Sequence, residues 1–508
     1  MNLIVSTKYG NVQGKEEEDY AAFLGIPYAK PPVGKLRWQE PQPPEPWGGI
    51  RAANRLGAPA LQAPSQSIPG GDPAERGVFG DDSEDCLYLN VWTPDVNGRY
   101  PVFVWIHGGA FCCGSGGGKS ASPEPFCRRG IVYVTFNYRL GLMGYFAHPE
   151  LSEESSHGVS GNYAHFDQIA ALRWVQENIA AFGGDPDRVT VGGCSAGAGS
   201  TQVLCCSPLA EGLFQRAVIE SSVGFASAEY PEDFKLETLE QMERRGVEYM
   251  EKAGCTSVEE MRSLSYEELI SFEDCHFRRK YHYGTTMGVN QDGYLLPLHY
   301  RYAMEQGNNR DIPYLVGNTH DEGGGFVLGL TAESFHQKNL AVFGGACGEY
   351  EAMCGAKSKE DMVRSMRETH LRLAGAKVFA EQSADAGRSP VYVFDFCRKD
   401  PEKGLALHGF ETHYLLGTYR QLPGMTKEDD LVAETMQEYW CRFISDGDPN
   451  GEGLPKWPPY SADRRAVLYL DSPCTVGEDQ DREPPLMTFA REFLVKKRRE
   501  NSSGETEF

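Results

Sequence analysis

Residues 188–197 run Arg-Val-Thr-Val-Gly-Gly-Cys-Ser-Ala-Gly, and an apolar, helix-like stretch follows them. The first half is rich in β-branched residues and reads as a buried strand. The second half, Gly193-Cys194-Ser195-Ala196-Gly197, is a G-x-S-x-G set where that strand must turn into a helix. The spacing has a steric reason. A serine on a very tight strand-to-helix turn projects its Oγ above the sheet, and glycine on either side lets neighbouring backbone pass without a Cβ clash. Gly and Ser are common, so the pattern alone recurs by chance. The strand before it and the helix-like run after it make Ser195 a candidate nucleophile.

Working outward, further short β-branched and aromatic runs lie at 101–106, 131–137, 216–220, 313–317 and 391–396, separated by amphipathic stretches. Between 166 and 182 the residues Ile169, Leu172, Val175 and Ile179 recur at helical steps and mark a core-facing helix. Strands alternating with helices predict an α/β fold with a mostly parallel central sheet flanked by helices. Upstream of Ser195, the strand Pro-Val-Phe-Val-Trp-Ile (101–106) runs straight into His107-Gly108-Gly109-Ala110-Phe111. In an α/β-hydrolase fold such a loop supplies backbone N–H donors for the anionic oxygen of a tetrahedral intermediate. Gly108 and Gly109 are the expected donors, with Ala196 contributing from the elbow. Glycine suits the loop because backbone must come close to the substrate.

A serine hydroxyl near neutral pH is a poor nucleophile and needs a base and an orienting acid. On this fold the chain order is serine, acid, histidine. Residue types and spacing do not choose between Asp321 and Glu322, or between His408 and His413.

The 508 residues carry 49 Lys+Arg against 72 Asp+Glu, a net charge of −23. That balance disfavours nucleic acid and anionic membrane surfaces, both of which need surplus cations. Hydrophobic residues make up 40% of the chain, enough for a large core. No stretch reaches the roughly 18 apolar residues of a membrane helix. The N-terminus lacks a basic region, a long apolar run and a small-residue cleavage site. Of 14 cysteines, Cys112-Cys113 and Cys205-Cys206 are adjacent and none form a C-x-x-C pair, so neither a zinc site nor a disulfide framework is expected. Reduced thiols packed as small hydrophobes, in the cytoplasm, is the reading adopted. Asn501-Ser502-Ser503 matches a glycosylation sequon only by chance in a polar tail. The stretch 231–275 is acidic, rich in Met and Glu, and carries two capping boxes, Thr256 with Glu259 and Ser265 with Glu268. It reads as a helical insertion able to lie over a pocket as a cap. The expected layout is one catalytic domain over 1–495 and a frayed polar tail over 496–508.

Other segments carry a wider resemblance. Phe23-Leu24-Gly25-Ile26-Pro27-Tyr28-Ala29, Pro31-Pro32-Val33-Gly34 and Arg37-Trp38 stand near the start. Ser83-Glu84-Asp85-Cys86-Leu87-Tyr88-Leu89-Asn90-Val91, and Phe182 through Pro186 leading to Ser195-Ala196-Gly197-Ala198, look like two signature motifs. Gly447-Asp448-Pro449-Asn450 and Trp457-Pro458-Pro459-Tyr460 follow. In this order, over nearly the whole chain, the sequence resembles the type-B carboxylesterases, which include the cholinesterases, and within them a bacterial-type cytosolic member.

The resemblance implies the remaining site residues. The family's acid is the Glu of an Asp-Glu-Gly motif after a strand, here Asp321-Glu322-Gly323, which makes Glu322 the acid. Its base opens His-Gly-x-Glu, here His408-Gly409-Phe410-Glu411, which makes His408 the base. Two positions depart from the pattern. Cys194 stands where the family has Glu, a loss of charge beside the nucleophile that would alter rate or charge preference without removing the triad. Cys86 matches a position that is often disulfide-bonded, but its counterpart is Ala60, so that bridge is expected to be absent. The implied activity is hydrolysis of carboxylic esters through an acyl-enzyme, with a small-molecule ester as substrate and no metal or cofactor; the oligomeric state is left open. Amidase, lipase or feruloyl-type esterase chemistry on the same machinery is the alternative. The charged insertion disfavours a lipase. A non-catalytic, cholinesterase-like binding protein is disfavoured because Ser195, Glu322 and His408 are all present.

Overall fold

The computed structural model describes residues 3–62, 82–222, 224–225, 237–272, 288–322, 330–478 and 482–503. Gly323, the ends of the insertion at 231–236 and 273–275, and residues 504–508 of the tail lie outside the described residues. The stretch taken above as one catalytic domain packs as two compact units. The first holds Met1–Ile68, Asp72–Gln215 and Leu236–His299; the second holds Pro69–Gly71, Arg216–Lys235 and Tyr300–Phe508.

In the first unit the sheet strands are β1 (Lys15–Glu16), β2 (Ala21–Pro27), β3 (Tyr88–Thr93), β4 (Tyr100–Ile106), β5 (Val132–Phe136) and β6 (Gly184–Cys194). Their lateral order is β6-β4-β5-β3-β2-β1. The β6-β4-β5 pairings are parallel and the rest antiparallel. Val102, Phe103, Val104, Val132, Tyr133, Val134 and Phe136 are fully buried. Strands of a parallel sheet are covered on both faces, which is why 101–106 and 131–137 read as continuous apolar runs rather than as alternation. Burying each such side chain contributes about 1.5–3 kcal/mol. Helix α1 (Tyr163–Asn178) packs beside β6 and buries Ile169, Leu172 and Val175 of the predicted stripe, the fourth member, Ile179, being buried just beyond it. It starts at Tyr163, and the last predicted residues, Ile179–Phe182, form a 3-10 turn. Helix α2 (Ala196–Cys206) packs on β6 and β4.

The insertion belongs to the first unit. It opens with Glu237–Thr238 paired to Asn290–Gln291 and continues as α3 (Leu239–Lys252), α4 (Val258–Ser263) and α5 (Tyr266–Ser271). Ser265 and Glu268 form the expected capping box at α5. The box expected at Thr256 is displaced by one residue: Ser257 caps α4 through the Glu260 amide, because Thr256 is taken up by the Glu260 carboxylate. Polar anchors tie these helices down. Arg262 grips Glu154 with both terminal nitrogens (2.9 and 2.6 Å), the Val258 amide donates to Glu150 (2.9 Å), and Arg37 donates to the Leu264 carbonyl (2.7 Å).

In the second unit the strands are β7 (Arg216–Glu220), β8 (Tyr314–Thr319), β9 (Val391–Phe396), β10 (Ala466–Leu470) and β11 (Thr475–Glu478), in the order β11-β10-β9-β8-β7. All pairings are parallel except β10 with β11. Helix α6 (Leu371–Asp385) covers β8 and β9 and packs against α8 (Pro485–Ser503), which follows α7 (Lys427–Asp446). The closing residues therefore do not fray where expected: α8 stays helical through Ser503. Among the described residues no helix is long and apolar enough to cross a membrane.

Gly246 on α3 shows how closely the insertion is seated, since a Cβ there would stand 1.8 Å from the Ala147 carbonyl oxygen. Replacing Gly246 with Ala should destabilise the protein by about 1–3 kcal/mol, the usual cost of overpacking against backbone. Urea denaturation reads this as a lowered midpoint; an unchanged midpoint would show that α3 is free to shift.

Candidate active site

In the first unit, Ile106 at the end of β4 lies opposite Gly193 at the end of β6, so the loops leaving both strands emerge side by side. A Cβ on Gly193 would come within 2.4 Å of the Ile106 carbonyl oxygen, and one on Gly197 within 2.1 Å. This close backbone approach is the steric reason for both glycines of the motif. Ser195 between them has φ 59° and ψ −121°. Such a backbone costs a non-glycine residue about 1–3 kcal/mol and persists only where its surroundings enforce it. Ala196 is the first residue of α2, and the leading N–H groups of a helix have no intrahelical acceptor.

The Gly108-Gly109 loop has its own constraints. Gly109 has φ 111°, and a Cβ on it would meet the Cys113 carbonyl oxygen at 2.0 Å. Its carbonyl accepts from the Cys112 and Cys113 amides (3.0 Å each), closing a tight turn. Ala110 and Phe111 also have positive φ. His107 is buried, stacks on Tyr138 and hydrogen-bonds the Gly108 carbonyl through Nδ1 at 2.8 Å. Burial lowers its pKa to about 4, so it is neutral at physiological pH. Cys194 is buried, and Cys86 is an unbridged thiol as expected.

In the second unit, Glu322 follows the end of β8 and is almost wholly buried. Its carboxylate accepts from His408 Nδ1 at 2.7 Å, from Arg372 at the start of α6, and from Asn318 at 3.1 Å. A carboxylate can only accept, so Nδ1 of His408 carries the proton and, in the neutral ring, Nε2 keeps the lone pair. Burial alone would raise the Glu322 carboxyl, but the charges of His408 and Arg372 outweigh it and hold the group well below the usual carboxylate range. Burial likewise opposes the His408 imidazolium. The Glu322 carboxylate more than offsets it, leaving the His408 pKa above its ordinary 6.5.

The residues left as alternatives are engaged elsewhere. Asp321 accepts from the Ala406 amide (2.9 Å), and His413 pairs with Thr418 (2.9 Å). The structure thus brings Glu322 and His408 together in the second unit, and places Ser195, Ala196, Gly108 and Gly109 at two adjacent strand ends in the first.

Sequence reasoning gave no role to three neighbours. Arg372 pairs with Glu322, and Ser221 donates to Glu411, three residues after His408. Burial, with repulsion from Glu322, raises Glu411 to about 7. Glu411 was visible inside its motif. Arg372 and Ser221 carry no local signal, because only tertiary folding brings them to their partners.

The profile of the Carboxylesterase family matches residues 1–348 and 346–485. The fumonisin B1 esterase of Sphingopyxis macrogoltabida is 34% identical over 94% of this chain and 88% of its own length. The para-nitrobenzyl esterase of Bacillus subtilis (strain 168) is 34% identical over 94% of this chain and 97% of its own. A solved thermophilic PNB esterase superposes with a TM-score of 0.82 at 31% identity, covering 97% of this chain and all of that one. The protein has the α/β-hydrolase fold and is a carboxylic ester hydrolase. It belongs to the carboxylesterase family.

The depressed Glu322 pKa has a consequence for stability. A carboxyl whose folded pKa lies below its unfolded value of about 4.3 contributes stability that is present above that value and lost as the pH falls below it. The stability gap between the wild type and Glu322→Gln, which cannot titrate, should therefore be widest between about pH 5 and the raised His408 pKa, and shrink below about pH 4. Urea denaturation at several pH values measures it; a constant gap would contradict the ion pairing.

Proposed function

We propose that the protein hydrolyses carboxylic esters through an acyl-enzyme, with Ser195 as nucleophile, His408 as general base and acid, and Glu322 as the orienting carboxylate. His408 Nε2 takes the Ser195 proton as Oγ attacks the ester carbonyl. The amides of Gly108, Gly109 and Ala196 stabilise the oxyanion, each such donor typically contributing about 3–4 kcal/mol to the transition state. His408 then gives its proton to the leaving alcohol and later activates the water that frees the acid. Glu322 stays ionised throughout, fixing the ring tautomer and stabilising the imidazolium. The observation that carries this reading is the 2.7 Å pair between His408 Nδ1 and Glu322, which leaves Nε2 as the basic nitrogen. The strained serine on its strand-to-helix turn supports it. A reducing, cytoplasmic setting fits the thirteen unbridged cysteines among the described residues.

Replacing Ser195 with Ala should lower kcat on the order of 10⁶-fold, as in other serine triads, and abolish labelling by a fluorophosphonate probe. An active or labelled variant would refute the nucleophile. A panel of p-nitrophenyl and p-nitrobenzyl esters of graded acyl length supplies the substrates for both measurements.

The base must be neutral, so kcat/KM should fall as pH drops through the raised His408 pKa, with the midpoint of the acid limb above 6.5. Arg372 lowers the His408 pKa while Glu322 and Glu411 raise it. Substituting Arg372 with Gln should therefore move the acid limb to higher pH. A limb that stays put, or moves to lower pH, would rule out His408 as the group reporting.

A further inference from the structure

Beyond this site, the second unit has a cavity of about 500 Å³ that neither the ester chemistry nor the family assignment uses. His320, Asp395 and Cys397 line it together. The strand register assembles them. Thr319 at the end of β8 pairs with Phe396 at the end of β9, and the His320 amide donates to the Phe396 carbonyl at 2.9 Å, so His320 falls opposite Cys397. Asp395 and Cys397 are two residues apart on extended chain and share a face. In an α/β sheet, ligands gather outside the carboxyl ends of parallel strands, where these residues stand.

The donor atoms converge. His320 Nδ1 lies 2.8 Å from an Asp395 carboxylate oxygen and 3.9 Å from Cys397 Sγ, and all three donors fall within 4.8 Å of one another. Asp395 is only 3% exposed, and its second oxygen, Oδ1, has no hydrogen-bond partner among the described residues. Leaving a buried acceptor unmade costs about 1–3 kcal/mol, which a cation at this position would offset. The cavity wall sets three carboxylates (Asp395, Asp471 and Glu483) against Lys377, Arg482 and His320, whose pKa Asp395 raises to about 9; Glu483 already holds Lys377 at 3.2 Å, and a bound cation would replace the His320 proton beside Asp395.

We propose that His320, Asp395 and Cys397 bind one thiophilic divalent cation of the zinc class, with the fourth position open to the cavity. Metal–donor distances of about 2.0–2.3 Å around a tetrahedral ion separate neighbouring donors by roughly 3.3–3.8 Å. The His320–Cys397 spacing is already close to that, and the His320–Asp395 contact must open by about half an ångström. One imidazole nitrogen, one carboxylate and one thiolate suit zinc better than magnesium or calcium, which take all-oxygen shells. Binding displaces the thiol proton, and any proton on Nδ1, to solvent.

The test uses the full chain, stripped with a chelator and titrated with Zn²⁺ against a chromophoric chelator, then with Co²⁺ under anaerobic conditions. One equivalent should bind at least tenfold more tightly than any further ones, with a thiolate-to-cobalt charge-transfer band. X-ray absorption of the zinc-loaded wild type should show a single sulfur among nitrogen and oxygen donors, a readout that needs no variant to fold. His320→Gln and Cys397→Ser should each weaken the tight equivalent tenfold or more, and C397S should erase the band. In a second grouping, His336, Cys347 and Glu351, both carboxylate oxygens are already hydrogen-bonded, to His336 and Asn339, so it supplies the control and His336→Gln should change neither reading. No tight equivalent, a shell with no sulfur or several, binding that survives both H320Q and C397S, or binding lost in H336Q would each overturn the proposal.

Discussion

Glu322 is a charge with almost no water around it, and the chemistry of the second unit is organised by how that charge is met. Desolvation would neutralise a lone carboxyl at this depth. Two groups prevent it: the Arg372 guanidinium, delivered by the start of α6, and His408, delivered by the loop after β9, whose Nδ1 proton it accepts. Because the acid stays ionised, it can only accept hydrogen bonds. The proton on His408 is therefore confined to Nδ1, and the basic lone pair faces away from the acid. A neutral acid would make no such demand. Burial, usually a liability for a carboxylate, here becomes the source of tautomer control.

The first unit meets a different constraint, imposed by volume rather than charge. The Ile106 carbonyl presses on both Gly193 and Gly197, so the chain between them has little choice of path. Ser195 accepts an unfavourable φ because the chain on either side is fixed by burial, Val189–Cys194 of β6 before it and Ala196–Cys205 of α2 after it. Strain of about 1–3 kcal/mol is small beside the burial energy of these elements, so the turn can be held rigid. Rigidity is what pre-placed amide donors need, since their worth depends on not having to reorganise as charge develops.

This division explains what the sequence made legible. Features dictated by local geometry were readable. Six strands were seen from their apolar runs, the strained serine from its glycines, and the α5 cap from Ser265 and Glu268. Features that arise where distant segments meet were not. Arg372 sits in an ordinary charged helix start, Ser221 in an ordinary strand end, and nothing near either names its carboxylate partner. The choice of Glu322 over Asp321 and of His408 over His413 came from the family resemblance. In the fold, Asp321 accepts from a backbone amide and His413 pairs with Thr418. The one-residue error at α4 has the same character: Thr256 and Ser257 are both good caps, and the Glu260 carboxylate decides between them.

Three buried carboxyls of the second unit act on one another: Glu322 on Glu411, and Glu411 on Glu220. Glu322 keeps its charge because Arg372 and His408 face it. Among the described residues Glu220 accepts from the Trp440 indole N–H, at 2.6 Å, and burial with repulsion from Glu411 raises its pKa well above the ordinary carboxylate value. Glu411 lies between these cases, raised to about 7 with the Ser221 hydroxyl as its donor. Its charge therefore changes near neutral pH. When it loses its proton it adds a second negative charge near His408 and strengthens the base; when it regains the proton, Glu322 acts alone. The basicity of His408 is accordingly a property of a hydrogen-bonded group of residues, and its titration belongs to that group rather than to a single pair.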